Sequence, residues 1–68
     1  MMTPRTLAEA KIDRYVTVRQ WYRDGSASTR DVSLARAEAA IYIENAESRS
    51  FPVQALRRWF DLLASQPL

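Results

Sequence analysis

The chain reads as an all-α domain of three helices: a helix, a long central helix and a shorter third helix. Three observations predict it. Apolar residues recur at helical spacing along most of the length, with no strand-like alternation between the segments. The breakers are few: Gly25 is the only glycine, and Pro4, Pro52 and Pro67 are the only prolines. At 68 residues there is room for one domain at most, near the lower limit for a chain that folds alone.

The first helix is expected over residues 4–23. Thr3-Pro4 fits an N-cap followed by proline at the first helical position, and Thr6 with Glu9 offers a competing capping box. Asp24-Gly25 supplies the stop. Leu7, Ala8, Ile12, Tyr15, Val16, Val18, Trp21 and Tyr22 occupy a wide arc at about 100° per residue. Lys11 and Arg19 fall inside that arc, where their aliphatic stems are expected to cover apolar surface while their charges reach water.

The second helix is expected over 29–47, starting at Ser28, with Asp31 favouring the positive end of its dipole. It carries apolar residues on two faces. The longer stripe is Val32, Ala35, Ala39, Tyr42, Ile43 and Ala46, rich in alanine and suited to close approach of another helix. The shorter is Leu34, Ala37 and Ile41. A helix lying on one small core needs one stripe, so the second predicts a further surface to be covered. The third helix is expected over 52–64, with Ser50 or Phe51 as N-cap before Pro52. Val53, Leu56, Trp59, Phe60 and Leu63 form its apolar face, widened by Ala55 and Leu62, and Gln54, Arg57, Arg58 and Asp61 its polar side. The tail Ser65-Gln66-Pro67-Leu68 is expected to fray.

Composition narrows the chemistry. With no cysteine there is no disulfide, and with no histidine the usual zinc sites cannot be built. No EF-hand-like run of acids exists, so no metal and no cofactor is expected. One glycine, at a helix end, does not make a phosphate loop. Ser48 and Ser50 have no histidine to activate them, and Lys11 is the only lysine. Glu44 and Glu47 share a helix face but read as a solvated pair near Arg36 and Arg49. The expectation is therefore a protein that is not an enzyme and takes no small-molecule substrate. Ten basic residues are interspersed with eight acidic ones for a net charge of +2, which does not mark a nucleic-acid or membrane protein. The longest apolar run, residues 39–43, is too short to span a bilayer, and no signal-peptide h-region opens the chain. The cytoplasm of the producing cell, or of a host, is the expected location.

Binding remains. A large apolar side chain left in water forfeits roughly 1.5–3 kcal/mol of burial, which favours association through Leu34, Ala37 and Ile41. Trp, Tyr and Arg dominate interface hot spots, and the chain places Trp21 beside Tyr22 and Arg57, Arg58 beside Trp59. The favoured expectation is a homodimeric regulator or inhibitor that binds a partner protein through these residues. Its size fits a phage or mobile-element product. The alternative is a DNA-binding regulator reading through the third helix, with Arg49, Gln54, Arg57 and Arg58 as the contacts, since arginine reads guanine and glutamine adenine in a major groove. Against it stand the long second helix, a turn without glycine and Asp61 on the reading face.

Overall fold

The computed structural model describes all 68 residues, Met1–Leu68. It holds three helices and no strand: α1 at Pro4–Arg23, α2 at Thr29–Ser48 and α3 at Gln54–Ser65. α1 starts from Thr3, whose hydroxyl accepts from the Thr6 amide at 3.1 Å, so Thr3 rather than Thr6 is the cap. Pro4 fills a position whose N–H would have no helical partner. The helix closes in a Schellman turn. Gly25 takes φ 82°, its amide donates to the Tyr22 carbonyl at 3.1 Å, and the Ser26 amide donates to the Trp21 carbonyl at 2.7 Å. α2 opens on a complete capping box: the Asp31 amide donates to Ser28 Oγ at 3.2 Å and the Ser28 amide to the Asp31 carboxylate at 2.9 Å. That backbone donor is the main reason the Asp31 carboxyl is held below its ordinary range.

The second turn uses the same device without a glycine. Ser50 sits at φ 67°, its amide donates to the Glu47 carbonyl at 3.0 Å, and the Phe51 amide donates to the Ala46 carbonyl at 3.0 Å. Phe51 packs on the core cluster that contains Ala46, the apolar contact that accompanies this motif. The start of α3 moves accordingly. Ser50 and Phe51, expected as N-caps, are used up in closing α2, and a left-handed Ser50 lacks the extended backbone of a cap. α3 begins at Gln54 after Val53, which is buried and offers no side-chain cap.

The helices pack up, down and up. α1 and α2 are antiparallel: Ala8 and Ile12 meet Ala39, Ile43 and Ala46 at one end, and Tyr15 and Val18 meet Val32 and Ala35 at the other. Ala8, Ala39 and Ala46 have no exposed surface, so the alanine-rich stripe of α2 is the one that closes on α1. α3 runs in the direction of α1. Its N-terminal Val53 and Leu56 join the Ala8 cluster, while Phe60 and Leu63 touch both clusters, Phe60 with its ring centroid 5.7 Å from that of Tyr15.

Arg19 departs from expectation. Its guanidinium does not reach water; the residue is only 4% exposed. No carboxylate faces it. Nη1 donates to the Leu63 carbonyl at 2.7 Å and lies 3.3 Å from the Tyr15 hydroxyl, and Nη2 donates to the Pro67 carbonyl at 3.4 Å. The charge thus sits at the negative end of α3, where the Leu63 carbonyl also accepts from the Gln66 amide at 3.2 Å. The same bonds hold the tail expected to fray. At the other end of α1, Arg5 Nε donates to the Pro52 carbonyl at 3.1 Å. α1 therefore grips the third segment at both ends.

Two stability changes follow. Arg19→Ala removes charge-assisted hydrogen bonds and buried stem together, and should cost about 2–3 kcal/mol in urea unfolding followed by circular dichroism. Ser50→Gly relieves a left-handed residue that makes no side-chain bond. It should raise stability by about 0.5–1 kcal/mol in the same assay, and a loss would show that the turn does not set the cost.

Candidate functional site

The outward face of α2 lies opposite the seam with α1. Spacings of three and four residues put Leu34, Ala37 and Ile41 on one side of the helix. All three are exposed, Leu34 by 57% and Ile41 by 62%. The reason is geometric: Val32, Ala35, Ala39, Ile43 and Ala46 already fill the inward face, and the two stripes cannot both turn inward.

A cleft of about 330 Å³ adjoins this face between α1 and α2. Trp21 and Leu34 both line it, so two residues well separated in sequence share one feature. Trp21 is 42% exposed and carries the Arg14 guanidinium 5.6 Å from its ring centre. Asp31 and Glu38 form the acidic rim. On the opposite flank, Ala37 lines a shallow groove with Ala40, Arg36 and the half-buried Phe60 of α3. The α2 face is thus a ridge between two depressions.

The other expected contact residues lie elsewhere. Tyr22 is half-buried against the Tyr15–Val18–Val32 cluster, and Trp59 is half-buried against the Ala8 cluster. Arg57 bonds Glu47 at 3.0 Å, tying the start of α3 to the end of α2. Glu47 therefore pairs with Arg57 rather than with the neighbouring Arg36 or Arg49. Arg58 and Gln54 are exposed, with Asp61, Leu62 and Ser65, along a shallow strip of α3 that faces away from α1 and α2. Arg49 caps the end of α2 and is exposed.

Arg14 and Glu38 were not singled out by sequence. A helical count places Arg14 two turns before Trp21 and so hints at their stacking. Nothing local foretells that Glu38 and Phe60 flank the α2 face, because their places depend on how α1 and α3 dock. No three acidic side chains converge as a metal site would require. No helix is long and apolar enough to cross a membrane.

Lys11 fixes the cleft rim. Its ammonium pairs with the Glu38 carboxylate and lies 5.0 Å from the centre of the Tyr42 ring. The hydrogen bond that Lys11 donates to the Glu38 carboxylate raises the Lys11 pKa above its ordinary 10.5. Comparison with known protein families, curated proteins and solved structures returns no match to the chain.

A raised lysine pKa means stability that is full below 10.5 and is lost as pH climbs through the folded-state value. Glu38→Gln should therefore flatten the decline in unfolding free energy above that pH, measured by urea titration at stepped alkaline pH. An unchanged slope would show that the pair contributes nothing.

Proposed function

We propose that this protein is a non-enzymatic regulator that acts by binding a partner protein, works as a homodimer, and engages its contacts through the outward face of α2 and the adjoining cleft. The observation that carries the reading is that Leu34, exposed on one helix face with Ala37 and Ile41, shares a cleft with Trp21. Apolar side chains rimmed by Arg14, Asp31 and Glu38 have the make-up of an interface, an apolar centre within a charged border. The cleft sits at the floor of the size range for small-molecule sites, roughly 300–1,000 Å³, and has room for one inserted side chain of a partner. A chain this small, whose buried ionisable side chains Tyr15 and Arg19 are bonded to each other, acts by occupying a surface rather than by turning over a substrate.

A second reading has one observation in its favour: Gln54 and Arg58 are exposed on one face of α3 and make no bond within the chain. Duplex DNA is the ligand such a pair would suit. Arg57, held by Glu47, is less free to join them.

Leu34→Glu and Ile41→Glu decide between these readings. Both positions are solvent-facing, so the variants should keep wild-type helicity by circular dichroism. Protein captured by the tagged wild-type chain, identified and then reconstituted from purified components, should be lost with either variant by at least tenfold in affinity, as for a hot-spot residue. Capture that ignores both substitutions overturns the reading. Duplex DNA binding that weakens steeply with salt and vanishes in Arg58→Ala would put the second reading in its place.

A further inference from the structure

The outward face of α2 is nearly its own complement. Ala37 stands midway between Arg30 and Glu44, seven residues from each. A displacement of seven residues turns only about 20° around a helix, so Arg30, Ala37 and Glu44 lie almost on one line. The two charged residues sit about 10.5 Å above and below the alanine. Both are exposed, and neither makes an ion pair or a side-chain hydrogen bond within the chain, although Arg5, Lys11 and Arg57 all find carboxylates.

The residues beside that line follow the same symmetry. Leu34 lines the α1 cleft, and Ile41, seven residues on and so turned only about 20° from it, shares that flank; Ser33 and Ala40 line the groove on the flank next to α3. A twofold axis through Ala37, perpendicular to the helix, sends each flank onto the same flank of a second copy. It sets Leu34 against Ile41 of the second copy, Ser33 against Ala40 of the second copy, and Arg30 against Glu44 of the second copy. A parallel arrangement would instead set Arg30 against Arg30 and Glu44 against Glu44. The small residues Ser33, Ala37 and Ala40 let two helices approach at the axis, while the bulky pair fills the cleft side. Ile41 of the second copy then falls beside Leu34 at the mouth of the cleft lined by Trp21.

We infer that the occupant of this face is a second copy of the chain, bound antiparallel along α2 about a twofold axis at Ala37 and closed by two Arg30–Glu44 ion pairs. This rests on the reading of the α2 face as a protein-binding surface and names what covers it. A seam along one helix is at the small end of stable interfaces, below about 1,200 Å² in total. The dimer should therefore dissociate within a range that sedimentation can follow.

The test is sedimentation equilibrium of the full chain over about 1 µM to 1 mM, the span in which a small interface comes apart. The wild type should dimerise. Arg30→Glu and Glu44→Arg should each weaken dimerisation by about tenfold at low salt, since each turns two attractive pairs into repulsive ones. The double variant Arg30→Glu/Glu44→Arg, and an equimolar mixture of the two single variants, should recover wild-type association. Circular dichroism checks that each variant stays folded. A parallel seam predicts single variants no weaker than the wild type, because it merely exchanges one like-charge pair for another. That result overturns the proposed geometry, while loss of association in Leu34→Glu would keep the α2 face as the contact. A wild type that stays monomeric throughout overturns the second copy as occupant and leaves the partner-protein reading to its own capture experiment.

Discussion

The alanine seam between α1 and α2 is the constraint on which the rest of the structure depends. Ala8, Ala39 and Ala46 are without exposed surface and allow the two long helices to close on each other. Once that face of α2 is committed, every other residue of the helix has a fixed direction. Glu38 is turned to Lys11, Ala40 and Arg36 toward α3, and Leu34, Ala37 and Ile41 outward. Larger residues in the seam would spread the helices and rotate the outward face as well. The exposed apolar ridge is thus a consequence of a tightly filled interior.

α3 depends on polar contacts more than the hairpin does. Of its own residues only Leu56 is buried, and Trp59, Phe60 and Leu63 are covered in part. Arg5 and Arg19, near opposite ends of α1, hold the segment by its backbone carbonyls at Pro52 and Leu63. A buried guanidinium without a carboxylate is normally costly. Here the Leu63 and Pro67 carbonyls and the Tyr15 hydroxyl, at the negative end of α3, serve as its partners. The guanidinium finds its acceptors there, and the short third helix gains a fixed position that its apolar face alone does not impose.

The two turns show how the same geometry is reached with different residues. Gly25 enters the left-handed region freely, whereas Ser50 carries a side chain into it. What holds Ser50 there is the burial of Phe51 and Val53 on either side of Pro52, which draws the chain across the end of α2. The outward-facing site on α2 is therefore carried by the better-packed part of the molecule, while the exposed strip of α3 rides on the part held mainly by two arginines.

Sequence alone determined the three helices, the cap at Ser28, the stop at Gly25 and the division of α2 into an inward and an outward stripe, and it narrowed the first cap to Thr3 or Thr6. These are local matters: a helical period and a capping side chain act within a few residues. It also marked Leu34, Ala37, Ile41 and Trp21 as surface candidates. Only the tertiary structure decided that Trp21 and Leu34 share a cleft, that Tyr22 and Trp59 lean into the core, and that Arg57 is tied to Glu47. It also turned Arg19 inward and delayed α3 to Gln54. Each of these depends on where a distant segment docks. A side chain's period on its own helix gives its direction, but whether water, a carbonyl or a ring waits there is set by the neighbour that packing brings to it.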